Sequence, residues 1–450
     1  MLVQLTKAFA GITMAAILAT GGRALGQEQP AAQAQQKQQK NYKDRAEYDL
    51  FASITKETNP QKRLELLNTW RDKYPTSDFK PERLQLFMVT YQALNQGQKM
   101  LDTAKEIVEL DANNIGAMFW ISLLTPSLHP ANAPAEVLAT AEKAAKGVLS
   151  NIDAAYAPEK KAPNVPEDAW KKERMSIEGT ARATLGWVEW QRKNLEAAEA
   201  QLVKSLATNP QNGTASGWLG TVLLQQRKIE KQSAALYHIA RAASYDGPGA
   251  ADANTRKQLE AYLQKAYNQH HGSTEGLAEL KAKVKTEALP PADFKIKTAV
   301  EIAEEKEKEF RESNPMLALW MSIKKELAGP NGDQYFADNV KNAHLPGGAM
   351  NVQKFKGWLI SHKPAKNPTE IVLGIADQNS AEVTLKMEKP LYLGKADPGT
   401  VIEFAGVASE FSREPFNLTL EIEKKEDLVG WPAPPPPAKK AVTKKGAKKK

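Results

Sequence analysis

A chain of 450 residues, 42% of them apolar and none of them cysteine, holds enough material for two or three packed domains and excludes disulfides, thiol catalysis and thiolate metal sites. Its formal net charge of +8 suggests a nucleic-acid partner only until the charge is divided along the chain. Without Lys7, Arg23 and the seven lysines after Trp431, 52 basic side chains face 53 acidic ones, so the body is near neutral and lacks the basic groove that nucleic acid requires.

Residues 1–26 join basic Lys7 to an apolar run from Ala8 to Ala19 and a small-x-small site at Ala24-Leu25-Gly26. This is the pattern of a signal peptide cleaved to leave Gln27 first, and it predicts an exported protein of the periplasm or cell envelope. The apolar run is well short of the roughly 20 residues that cross a bilayer. Residues 27–42 are rich in Gln and Ala without an apolar period, and they are expected to form a disordered linker.

From 43 to 290 the apolar period is helical. Tyr48, Phe51 and Ile54 mark a first helix that stops at Asn59-Pro60, where Asn caps and Pro opens a second helix carrying Leu64, Leu67 and Trp70. Leu84, Phe87, Met88 and Tyr91, then Ala104, Ile107 and Val108, mark a second pair around a turn at Gln96-Gly97-Gln98. A third, less regular pair lies between Ile115 and Leu149, broken at Pro126 to Pro134. A proline-bearing loop over 157–166 then delivers a long helix over 167–192.

Leu185-Gly186 and Leu219-Gly220 stand 34 residues apart, each in a helical segment that bears Trp. The small Gly lets the two helices of a hairpin approach, and a fixed period of this length marks stacked helix-turn-helix units. With Ala198 where the helices cross, Leu202 at the large apolar position and Pro210 closing the unit, this stretch resembles the tetratricopeptide repeat (TPR) family. The following unit repeats Leu-Gly in register but carries Gln232 at the crossing position and Ser244 in place of the closing Pro. In neither unit is the family's early aromatic present; its place falls on Arg182 and Ser216. The resemblance covers residues 43–290 and implies an α-helical solenoid of five or six hairpins that holds a protein or peptide partner in a concave groove. Carried onto the two best units, the groove positions are Trp187, Trp190, Gln191, Thr221, Leu224 and Gln225. The competing reading is that Trp187 or Trp190 fills the packing against the preceding hairpin.

Residues 291–345 read as charged connecting helices, the second of them capped by Asn314-Pro315, with Met316, Leu319, Trp320, Ile323 and Leu327 on one face. From Phe355 the period changes to two: KFKGWLI, TEIVLGIA, EVTLKME, TVIEFAGVA and FNLTLEIE are half-buried strands, with Glu382 on the solvent side of the third. They predict a small five-stranded antiparallel β-barrel-like domain over 346–431 that resembles an OB-type barrel at the level of the fold, a small open sandwich being the alternative. The chain as a whole is multidomain α + β. Residues 432–450 form a proline stem and a lysine-rich disordered tail, which either solubilises or adsorbs to an anionic envelope polymer or membrane surface.

No G-x-S-x-G, Walker-type phosphate loop or H-E-x-x-H occurs, and none of His129, His238, His270, His271, His344 and His362 is spaced as a metal pair. No catalytic residue, metal or cofactor is expected. The sequence therefore reads as an exported, non-enzymatic scaffold for protein–protein interaction. The rival is a nucleic-acid-binding protein that uses the OB-like barrel, with Phe355, Trp358 and Phe404 as stacking platforms, together with the basic tail. Export argues against it.

Overall fold

The computed structural model describes residues 40–347, 353–391 and 395–432; the expected signal peptide, most of the linker and the lysine tail lie outside them. The chain divides into two compact units after Ala299.

In the first unit there are twelve α-helices among the described residues; the first ten pair as five consecutive hairpins, and the last two both pack on the tenth. The hairpins are α1 (Arg45–Lys56) with α2 (Pro60–Lys73), α3 (Lys80–Ala93) with α4 (Gly97–Leu110), and α5 (Ile115–Leu128) with α6 (Ala135–Ala155). The series continues with α7 (Glu167–Gln191) and α8 (Leu195–Thr208), and α9 (Gly213–Gln225) and α10 (Gln232–Ser244), followed by α11 (Ala253–His271) and α12 (Leu277–Thr286). Short polar residues start these helices by accepting from first-turn amides that have no helical partner: Asn59 takes two, and Asn114, Asn212 and Asp252 act likewise. Gly272 ends α11 in the left-handed region, at φ 85°. The last residues of the expected linker are part of this unit, because Tyr42 stacks on Phe79 with ring centroids 4.2 Å apart.

Gly186 and Gly220 lie at the closest approach of α7 on α8 and of α9 on α10. A Cβ on Gly186 would come within 2.6 Å of Leu202 Cγ, and one on Gly220 within 2.8 Å of the Ile239 side chain and 3.0 Å of its backbone nitrogen. Gly186→Leu and Gly220→Leu are each expected to cost about 1–3 kcal/mol through overpacking. Thermal melting checks this, and an unchanged Tm would mean that the 34-residue repetition has no packing role.

Arginines fasten the joints between helices. The carbonyls at a helix C-terminus lack partners and carry partial negative charge, and a guanidinium brings five donors to them. Arg63 donates through Nε to Glu57 O at 2.9 Å beyond α1, and Arg83 donates to Tyr74 O at 2.8 Å and Trp70 O at 3.3 Å beyond α2. Arg241, 1% exposed, donates to Val284 O, to Glu287 O at 3.1 Å and to Pro210 O at 2.5 Å, which ties α10 to the ends of α12 and of the preceding repeat.

Among the described residues the second unit contains α13 (Ala299–Ser313), α14 (Pro315–Ala328), the single turn α15 (Gly332–Tyr335) and eight strand segments. The strands are β1 (His344–Leu345), β2 (Phe355–Lys363), β3 (Glu370–Gly374), β4 (Val383–Lys386), β5 (Val401–Phe404), β6 (Gly406–Arg413), β7 (Phe416–Glu421) and β8 (Leu428–Val429). They form one sheet in the order β1-β6-β7-β4-β3-β2-β5-β8. The five antiparallel strands expected from the period are thus corrected in two respects. The stretch TVIEFAGVA, read as one strand, is β5 and the start of β6, interrupted at Ala405; and β4 runs parallel to β7. β5 pairs with β2 near one end of the order and β6 with β7 near the other, with a single residue between them, so the sheet curls back on itself. Around β2 the order β5-β2-β3-β4 is a Greek key, in which the fourth strand returns to lie beside the first.

The inner face holds Phe355, Leu373, Val383, Leu385, Phe404, Leu418 and Leu420. Trp320, Ile323 and Leu327 of α14 belong to this same core, Trp320 meeting Phe355 edge-on at 5.3 Å. The helix read as a connector is therefore a structural part of the β unit. Glu382 departs from its expected solvent position: it is 2% exposed, it pairs with Lys324 of α14, and it accepts the amides of Ile375 at 2.9 Å and Ala376 at 2.6 Å.

Candidate functional site

The six groove positions carried by the repeat resemblance do not all face one surface. Trp187 is 1% exposed and packs with Val188 against Leu138 and Ala141 of α6, so it fills the joint with the preceding hairpin and presents nothing to a partner. A 3.6-residue period shows which helix positions are apolar but not what covers them, and here a neighbouring hairpin does. Thr221 is half-buried and turns its hydroxyl onto its own helix, donating to Gly217 O at 2.9 Å. Gln191 reaches back to the loop before α6, with Ala133 N and Pro130 O both at 3.4 Å.

Trp190 and Gln225 do come together. Trp190 Nε1 donates to Gln225 Oε1 at 2.8 Å across adjacent first helices, α7 and α9. Trp190 and Trp218 are half-buried and touch the same two apolar clusters, while Leu224, also half-buried, turns in part to the cluster of α10, α11 and α12, which neither indole touches. Gln225 is exposed. The result is a face of two indoles with polar edges, half in contact with solvent. Trp218 was absent from the sequence-derived set, although its place directly before Leu219-Gly220 was a signal for it.

Charged groups frame this face. Arg192 bridges Glu142 at 2.6 Å and Glu189 at 3.2 Å, and Lys146 adds a second cation to Glu142. The hydrogen bonds from Lys146 and Arg192 hold the Glu142 carboxyl below its ordinary pKa. Of these partly exposed pairs only Arg192–Glu142 joins neighbouring hairpins, and each contributes about 0–1 kcal/mol.

A second surface of the helical unit is already occupied by the chain itself. The residues after α12 fold back over α10, α11 and α12, so the helical unit runs past its expected end at 290. Phe294 meets Tyr237 edge-on at 4.9 Å and Ile296 is buried. Ser233 Oγ accepts from Ile296 N at 3.1 Å, and His270 Nε2 and His271 Nδ1 lie 3.0 Å and 2.9 Å from the carbonyls of Ile296 and Lys297. A carbonyl only accepts, so each imidazole donates through the named nitrogen. Beside this strap lies a cleft of about 270 Å³ lined by Tyr267, Gly276, Leu280, Lys283, Phe294 and Ile296, among others. The two histidines, which offer no metal site in the sequence, are strap holders in the fold.

In the second unit, the aromatics named for nucleic-acid stacking are corrected. Phe355 and Phe404 are fully buried in the core of the β unit, 5.8 Å apart, and no base can reach them. Trp358 alone of the three reaches the outer face of β2, where it is half-buried.

No family model matches the chain, and no curated protein does. Among solved structures, a thermophilic TPR protein of Thermus thermophilus matches 49% of this chain and 95% of its own, at 17% identity and a TM-score of 0.28. A MamA RS-1 ArsTM double mutant matches 48% of this chain and 94% of its own, at 12% identity and a TM-score of 0.29.

Proposed function

We propose that the protein is an exported scaffold with no catalytic activity of its own, whose helical repeats hold a protein or peptide partner in the cell envelope. The observation that carries this reading is the half-buried face of Trp190 and Trp218, edged by Gln225, on successive first helices. Aromatics that stay partly exposed among satisfied polar groups are the usual anchors of a protein interface. The leader supports export, and the lysine tail supports adsorption to anionic envelope surfaces.

Pull-down from an envelope fraction with the mature chain tests the reading. Wild type is expected to retain a defined partner, and Trp190→Ala with Gln225→Ala to lose at least tenfold of it while keeping the wild-type circular dichroism spectrum. Equal capture by the variant would move the site elsewhere. The Greek-key order and the parallel β4–β7 pair favour an OB-type barrel for the second unit. Its buried aromatics weigh against nucleic acid as its ligand.

A further inference from the structure

We propose that residues 289–298 are a built-in occupant of a peptide groove formed by α10, α11 and α12, and that the groove's partner is an unstructured segment with an aromatic and an aliphatic residue two positions apart. This deepens the scaffold reading and rests on it.

The strap has the chemistry of a bound peptide rather than of a packed element. From 294 to 298 it has neither helix nor strand; Phe294 and Ile296 turn toward the helices, while Lys295 and Lys297 are exposed. That alternation is the period of an extended chain. Its backbone is held by side chains of the groove: Ser233 takes the Ile296 amide, and His270 and His271 donate to two successive carbonyls. Such contacts read main chain and side-chain position, not the identity of one sequence, so a second segment of the same pattern satisfies them equally.

The fit is also incomplete. Phe294 is only half-buried, and the adjoining cleft of about 270 Å³ stays open between Tyr267, Leu280 and Lys283. That space is smaller than an ordinary cofactor pocket and suits one or two further side chains. A partner segment with a bulkier residue beside its aromatic would fill what the strap leaves empty. The strap has the advantage of being tethered, so its effective concentration holds off weak competitors and admits better-fitting ones.

The test uses a fluorescein-labelled synthetic peptide of residues 289–299, added in trans to the mature chain and to Phe294→Ser/Ile296→Ser. Anisotropy is expected to show at least tenfold tighter binding to the double variant than to wild type, and no binding of a peptide carrying the same two serines. Adding Ser233→Ala and His270→Ala to the double variant should weaken the peptide again. A folded double variant that binds no better than wild type overturns the proposal. Hydrogen exchange of wild type covers the case in which the variant fails to fold: the Ile296 amide should exchange at least tenfold faster than that of Val284 in α12, and equal protection would show a fixed element instead of a displaceable one. Peptide binding alongside an empty envelope pull-down would count against the scaffold reading alone. Partner capture without peptide binding would count against the strap alone.

Discussion

Glu382→Ala is expected to cost the second unit about 2–4 kcal/mol, because it removes the buried carboxylate of a hydrogen-bonded ion pair and strips two amides of their acceptor. Burial works to raise the Glu382 pKa, but Lys324 and the amides of Ala376 and Ile375 outweigh it and hold the carboxylate below the ordinary range. The folded value lies below the unfolded one. Its contribution is therefore complete above the ordinary carboxylate value of 4.5 and is lost as pH falls through the lower folded value. Urea unfolding monitored by the fluorescence of the second unit's tryptophans measures the loss. Glu382→Ala within 1 kcal/mol of wild type would mean that the pair behaves as a surface contact. Lys324→Met leaves the buried Glu382 carboxylate on the two amides alone, and it is expected to raise the Glu382 pKa as well as destabilise the unit.

Acidification from pH 6.5 toward 4 is expected to weaken the helical unit by about 1.4 kcal/mol per pH unit through His238 alone. His238 is 2% exposed on α10; burial first, and then the charge of Arg241, push its pKa down to about 3. The imidazole stays neutral in the fold, whereas in the unfolded chain it takes a proton below its ordinary value of 6.5. The unfolded state then binds the extra proton. Stability is full above 6.5 and falls as pH drops toward the folded value. Denaturation midpoints at pH 7, 6, 5 and 4 should decline less steeply for His238→Leu than for wild type. Equal slopes would place the acid sensitivity on other groups.

The hairpins were legible because their signals are local. An Asn before a Pro, a Gly every 34 residues and apolar residues at helical spacing each act within one or two turns, and the fold respects them. What escaped depends on partners far along the chain. Trp187 and Trp190 lie on one helix three residues apart, yet one is sealed by α6 and the other is not; only the arrangement of hairpins decides that. Ala405 interrupts TVIEFAGVA without disturbing its alternation, since Ile402, Phe404 and Ala408 all stay inward, so the period carries no trace of the break. Glu382 fits the alternation by sequence and violates it by burial, because its partner lies 58 residues away. Arg241 did carry a signal. A lone charge in the run ALYHIARAAS, apolar on every side, points to a buried cation with a structural task.

The sheet of the second unit ends, at both limits of its order, in strands of two residues. The last strand of any sheet presents a row of open N–H and C=O groups, and the length of that row decides whether another chain can zip onto it. Here the end strands β1 and β8 offer two residues each, while β6 runs on past β1 to Arg413. The two end strands themselves therefore give a second copy of the molecule only a short ladder to extend.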